Sequence, residues 1–406
     1  MNTGDTAFIM ISAALVMLMT PGLALFYGGM VRNKNVLGTI MQSFVLVAVI
    51  TVEWILWGYT MSFGPDIGSV IGGLNWFGLH GVGLKPSSTY ATTVPHVVFM
   101  IYQCMFAIIT PALITGAFAE RMKFGPFVLF SVLWATFVYN PLAHWIWGNG
   151  GWMAKIGALD FAGGIAVHVS SGAAALAAAI VLGKRMGYGR ETIKPHNLPM
   201  TLLGAGLLWF GWFGFNAGSA LAANGLAGSA FVATHVAGAT ATLAWLLMEW
   251  KFLGKPTTLG AASGAIAGLA TITPAAGFVS PLSAAAIGII AGVGCFYGIM
   301  LKNKFGYDDS LDVVGIHGVG GALGLLSVGI FASKLINPSG ANGLIYGNLS
   351  LLGTQAFCLI VTIVYSFVLS YVFLKLVDKV FGLRVSENDE IVGLDLSQHE
   401  EIAYEF

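Results

Sequence analysis

The sequence predicts an all-α membrane protein of eleven transmembrane helices, with its N-terminus outside and its C-terminus cytoplasmic. Three observations lead there. The 406 residues are 57% hydrophobic and only 9% charged, with a mean hydropathy of +0.82, whereas an ordinary soluble domain carries about 25% charge. Apolar runs recur along the whole chain, each near the roughly 20 residues a helix needs to cross a bilayer. Lys and Arg fall almost entirely on alternate connections, as the positive-inside rule requires.

The runs lie at 7–28, 36–62, 96–118, 126–147, 161–182, 199–220, 227–249, 259–275, 279–300, 312–332 and 351–376. An odd number of spans puts the termini on opposite sides. With the N-terminus outside, fifteen of the 18 Lys and Arg collect on the inner side, from Arg32 and Lys34 to Lys379 and Arg384, leaving only Lys85, Lys155 and Lys334 outside. One span more or fewer would scramble that bias. The first run follows MNTGDT, which lacks the positive start of a secretory signal, so it is expected to stay as a span. The zero net charge averages a basic inner face over a nearly neutral outer one, and no nucleic-acid partner is expected.

Glycine contributes 55 residues, about twice its usual share. Gly260, Gly264 and Gly268 recur at i, i+4 spacing, as do Gly320 and Gly324, a pattern that lets helix backbones approach closely in lipid. Cys104, Cys295 and Cys358 sit inside apolar runs, too far apart in sequence for a metal motif, and read as buried apolar residues. No metal or cofactor is expected. The polar, acidic stretch from 377 to 406 is too short for a second domain. The chain therefore divides into a transmembrane domain, 1–376, and a cytoplasmic regulatory tail, 377–406.

Two intramembrane histidines stand out. His168 lies eight residues after Asp160 in DFAGGIAVH, and His317 lies eight after Asp309 in DSLDVVGIH. The fifth and tenth spans run in opposite directions, so the two Asp-to-His units are antiparallel. Spans one to five and six to ten then read as inverted repeats followed by a final helix, an architecture whose site lies near the midplane where the halves meet. Each histidine falls about eight residues into its span, or roughly 12 Å at 1.5 Å per residue. A charged imidazole at that depth would cost several kcal/mol. A neutral pair is expected, suited to a proton or a small hydrogen-bonding guest and poorly suited to a permanent cation.

At this point the sequence resembles the Amt/Mep/Rh ammonium transporters, in particular the bacterial Amt branch. PGLALFYGG, ITGAFAERMKF, PLAHWIWGNGG, GALDFAGGIAVHV, KPHNLP, WFGWFGFNAGSA, GAIAGLATITPAAG, VVGIHGVGG and GLRVSENDEIVGLDLSQH carry the resemblance in order along essentially the whole chain. It implies a homotrimer in the cell (inner) membrane with one conduction path per protomer, and a PII signalling protein meeting the cytoplasmic face. Residue by residue, it implies that Phe106, Trp147, Ser219 and Asp160 recruit ammonium from outside. Phe106 and Phe215 would form a gate, and His168, His317, Trp212 and Tyr27 would line the pore. Ammonium, attracted by aromatic faces and a serine hydroxyl, would shed a proton on desolvation and pass as ammonia; potassium has no proton to shed. One departure from the family's glycine run is Asn149 in WGNGGW.

Plainer readings accompany several of these residues. Trp147 and Trp145 stand where tryptophan anchors a span at the interface. Phe106, Trp212 and Phe215 could simply pack the bundle. Asp160, and likewise Asp309 and Asp312, are placed to cap the helices that follow, a structural role we rank above ion binding for Asp160. His96, His144 and His235 have no evident partner and read as structural, while Glu53 is an intramembrane carboxyl with no assigned role. A non-conducting ammonium sensor is the alternative function. An enzyme is not expected, because no nucleophile motif, metal-ligand set or phosphate loop accompanies the histidines.

Overall fold

Hydrocarbon offers no water to a polar backbone, so a spanning chain satisfies its hydrogen bonds internally as helix. The computed structural model describes residues 1–405. It is predominantly helical, with one small hairpin pairing Asp66–Ile67 with Ile71–Gly72. Among the described residues, ten apolar helices are long enough to cross a membrane. They are α1 (Thr3–Met30), α2 (Asn33–Phe63), α3 (His96–Phe118), α4 (Phe124–Lys155, interrupted after Trp147), α5 (Gly164–Leu182), α6 (Leu198–Gly218), α7 (Gly225–Leu253), α9 (Pro281–Phe305), α10 (Val314–Phe331) and α11 (Leu349–Phe381). Between α7 and α9 lies α8 (Thr258–Ile272), an apolar helix of only 15 residues.

The short α8 occupies the eighth expected span but stops before 275. Pro274 has no N–H to continue the helix. The chain folds instead into turns in which Ala275 N–H donates to the Ile272 carbonyl and Phe278 N–H to that of Ala275, both at 2.8 Å.

Small residues set how closely these helices pack. A Cβ added at Gly268 would lie 2.5 Å from the Ala237 carbonyl, and one at Gly264 2.7 Å from Trp245 Cβ, so α8 lies flush on α7. α5 and α10 also cross closely, and a Cβ at Gly172 would stand 2.2 Å from the Cα of Gly318. Of all pairs, α1 and α6 pack together most extensively. Four places widen the helices into π turns: Trp54–Gly58, Ala135–Tyr139, Gly164–Val169 and Val314–Gly318. His168 and His317 lie within the last two.

At the end of the bundle opposite Met1, buried charges are joined in one network. Arg185 binds Asp308 through Nε at 2.9 Å and Glu120 through Nη1 at 3.1 Å, and Arg32 meets Glu120 at 3.0 Å. Burial alone would raise the Glu120 carboxyl, but Arg185 and Arg32 hold it below its ordinary value. Asp308 is likewise held low, by Arg185, against its own burial. Both folded-state values are depressed, so this stabilisation is complete at neutral pH and is lost as pH falls through them. Arg185→Met should leave two buried carboxylates short of a partner, a change worth about 3–5 kcal/mol. The expected result is a clear drop in the unfolding temperature in detergent; an unchanged melting curve would contradict it.

The tail packs back on the helical bundle. Lys123 N–H donates to the Leu383 carbonyl at 2.8 Å and Val385 N–H to that of Arg121 at 3.0 Å. Two short helices follow, α12 (Glu387–Val392) and α13 (Leu394–His399). The Asp395 carboxylate accepts from Leu37 and Gly38 N–H at 3.0 and 2.8 Å, satisfying free donors where the α-helical part of α2 begins at Val36. α11 itself continues past 376 to Phe381 before the chain turns.

Candidate functional site: two chambers and a pair of imidazoles

The Met1 end of the bundle opens into a cavity of about 280 Å³. Phe106, Trp147 and Ser219 line it, together with Tyr90, Gln103 and Phe161. Phe106 and Trp147 meet edge to face, centroids 6.1 Å apart at 80°. Trp147 is oriented by its indole N–H, which donates to the Asp160 carbonyl at 2.9 Å. Ser219 Oγ donates to the Phe215 carbonyl at 2.9 Å, leaving oxygen lone pairs free to accept.

Phe215 lies against Phe106, ring centroids 4.3 Å apart and tilted by 40°. Beyond the pair is a second, far smaller cavity of about 10 Å³, lined by Phe215, Trp212, His168, His317 and aliphatic side chains such as Leu208 and Ile266. That volume is close to the roughly 10–15 Å³ one water needs. A space of that size holds one molecule about as large as a water and leaves no room for a hydration shell around it.

The two imidazoles lie nearly parallel, 12° apart, and their Nδ1 atoms approach to 3.2 Å. A hydrogen bond between two such nitrogens needs one donor and one bare acceptor, so at least one ring is neutral. Nε2 of His168 has no protein partner. Trp212 stacks 5.8 Å from His168 and is fixed by donating its N–H to Thr273 Oγ1 at 2.9 Å.

Sequence and folding place these rings together. The Asp160 carboxylate accepts from Gly163, Gly164 and Ile165 N–H at 2.8, 2.7 and 2.6 Å. Asp309 accepts from Val314 N–H at 2.7 Å. Each aspartate thus caps the π turn that carries its histidine, where His168 N–H reaches back to the Gly163 carbonyl at 3.0 Å. Asp160, unlike Phe106, Trp147 and Ser219, does not line the outer cavity, and its carboxylate accepts the three backbone hydrogen bonds from Gly163, Gly164 and Ile165. Asp160→Ala would orphan three buried donors, each worth about 1–3 kcal/mol. We expect it to lose folded protein in a detergent-stability assay, and a fully stable variant would contradict the capping role.

Tyr27, expected to line the passage, does not border the small cavity. It is buried beside it and donates its hydroxyl to the carbonyl of Leu113, a residue that does line the cavity, at 3.0 Å. His144 and His96 also differ from expectation, because each has a partner. His144 pairs with Asp66 and with the Ser62 carbonyl, both at 2.9 Å, and the hydrogen bond from His144 holds the Asp66 carboxyl below its ordinary value. His96 meets the Tyr59 hydroxyl at 2.5 Å. Asn149 lies near the vestibule, its N–H donating to the Tyr90 hydroxyl at 3.0 Å.

Sequence reasoning passed over Tyr102, whose hydroxyl donates toward the Phe215 carbonyl at 2.9 Å and lies 3.2 Å from Ser219 Oγ. Its position four residues before Phe106, on the same helical face, was the available signal. Thr273 and Tyr90 carried no such signal, since each lies in irregular chain that only the fold brings near.

Comparison with known proteins bears on the same region. The profile of the Ammonium Transporter Family matches residues 7–404. An ammonium transporter from Bacillus subtilis (strain 168) is 54% identical over 406 residues, covering 100% of this chain and 99% of that protein. The crystal structure of Candida albicans Mep2 superposes with a TM-score of 0.91 at 36% identity, covering 100% of this chain and 91% of the other. A structure described as a sensor Amt protein superposes with a TM-score of 0.90 at 30% identity, covering 98% of each chain.

Proposed function

Because the chain belongs to the ammonium transporter family, we propose that it recruits ammonium at the aromatic vestibule and passes ammonia between the two histidines. The observation that carries this mechanism is the tilted phenyl pair standing over two hydrogen-bonded imidazoles in a cavity of about 10 Å³. Phe106 and Trp147 hold the hydrated or partly hydrated cation by their electron-rich faces, at about 0.5–2 kcal/mol, and Ser219 accepts one N–H. The passage below offers no carboxylate, and the imidazoles replace the lost water with a donor and an acceptor. Ammonium enters this region by giving up its proton, and potassium stays behind.

The Met1 end is the outer face and the charged network with the tail is cytoplasmic, which the positions of Lys and Arg support. The chain spans the cell (inner) membrane eleven times, α8 included, in two inverted five-helix repeats plus α11. The antiparallel crossing of α5 and α10, with an Asp-capped histidine turn in each, supports this symmetry. Residues 1–376 form the transport domain. Residues 377–406 form a regulatory tail that acts in a homotrimer and presents a surface to a PII signalling protein. Its activity is transport and not catalysis, in line with the names of its relatives.

A sensing role is the second reading, raised by the similarity at 30% identity to a sensor Amt protein. The higher identity to a transporter supports conduction. A pH-dye assay on sealed liposomes separates them. Conduction predicts an internal pH change on ammonium addition that scales with protein density, and a sensor gives the response of empty liposomes.

A further inference from the structure

Glu53 has no part in the passage, yet it is 2% exposed inside α2, ten residues before the end of that helix at Phe63. At 1.5 Å per residue this is roughly 15 Å deep. Its Oε1 accepts from Asn140 Nδ2 at 2.8 Å and from Thr136 Oγ1 at 3.3 Å, and Thr136 accepts in turn from the Trp57 indole at 2.9 Å. Oε2 has no partner, and neither does the buried hydroxyl of Tyr139. The carboxyl lies over Gly58, where an added Cβ would stand 2.4 Å from Oε2.

No Lys, Arg or His pairs with this carboxyl among the described residues. The ion pairs all lie elsewhere. The titratable groups facing it are Cys104 from α3 and Tyr139 from α4, which are neutral in their protonated forms. An ionised Glu53 would be a buried charge faced only by the neutral side chains Asn140, Thr136 and Trp57, with no cation to balance it, an arrangement proteins avoid by neutralising the group.

The backbone marks the place as well. Two of the four π turns, Trp54–Gly58 and Ala135–Tyr139, flank Glu53 and its partner Asn140, just as the other two carry the histidines. Such turns are frequent at functional sites. In α4, Pro141 cannot donate to the Phe137 carbonyl, and the Tyr365 hydroxyl takes it at 2.7 Å. On α3, Phe106 faces the vestibule, while Cys104, two residues and about 200° away, reaches Thr51 of α2 at 3.9 Å. The Glu53 group thus sits behind the gate helix at the depth of the gate.

We infer that Glu53 is an intramembrane proton-binding site, separate from the ammonia passage, in which the unpartnered carboxyl oxygen carries an exchangeable proton. The proton keeps α2, α3 and α4 packed without a buried charge. Its loss would place a carboxylate against the helix that carries Phe106.

Infrared spectroscopy of the full-length protein in liposomes tests this without reference to transport. The expected result at neutral pH is a carbonyl band of a protonated carboxyl that shifts in D₂O and converts to a carboxylate band in alkali. It should be missing from Glu53→Gln. Glu53→Leu, similar in size and unable to ionise, serves as the second variant and should lack the same band. Loss of a carboxylate band in either variant at neutral pH, with every protonated band intact, would overturn the inference.

Discussion

Replacing either His168 or His317 with alanine is expected to lower ammonium flux into liposomes by roughly 5- to 150-fold or to abolish discrimination against potassium. The two rings share one hydrogen bond at 3.2 Å inside a cavity of about 10 Å³. Removing one leaves the other with an unpaired nitrogen in apolar surroundings, at about 1–3 kcal/mol. A guest loses the same hydrogen-bonding step, and 1–3 kcal/mol on the barrier is roughly 5- to 150-fold in rate. Should the emptied space fill with water instead, a hydrated cation gains a route and selectivity fails. Wild-type rate and selectivity in both variants would remove the histidines from the mechanism.

The second large effect is asymmetric and comes from backbone packing. Gly172→Ala should separate α5 from α10, because its methyl group would stand 2.2 Å from the Cα of Gly318, which cannot yield as a side chain can. Gly318→Ala should be nearly silent, since its methyl group meets the Cα of Gly172 at 3.5 Å, an ordinary contact. Overpacking of this kind costs about 1–3 kcal/mol, and here it also pulls His168 away from His317. Transport and melting temperature should both fall in the first variant and hold in the second. Equal behaviour of the two would contradict the crossing as described.

Much of this was legible in the chain because a bilayer imposes a simple code. Apolar length located ten long helices and the shorter α8, and the glycine spacing marked faces that do pack closely. The shared eight-residue interval from aspartate to histidine has a physical origin in the cap and π turn that each unit builds. The π turns themselves were not legible, since the roughly 100° phase shift that one extra residue makes leaves no trace in spans that are apolar nearly all round. Nor were the contacts that depend on distant chain, such as Trp212 with Thr273, His144 with Asp66, or Asp395 on the start of α2. Each joins residues with no common periodicity. Glu53 showed the opposite case: its oddity was plain in the sequence, while its partner Asn140 emerged only from the fold.

The most direct test of selective conduction is the current from purified protein in liposomes on a solid support, after an ammonium pulse and a potassium pulse of equal size. The account predicts a response to ammonium that scales with protein density, with none to potassium, or, if the proton returns outside, no current but an ammonium-driven pH change in the same vesicles. Equal responses to both cations, or neither current nor pH change with ammonium, would contradict it.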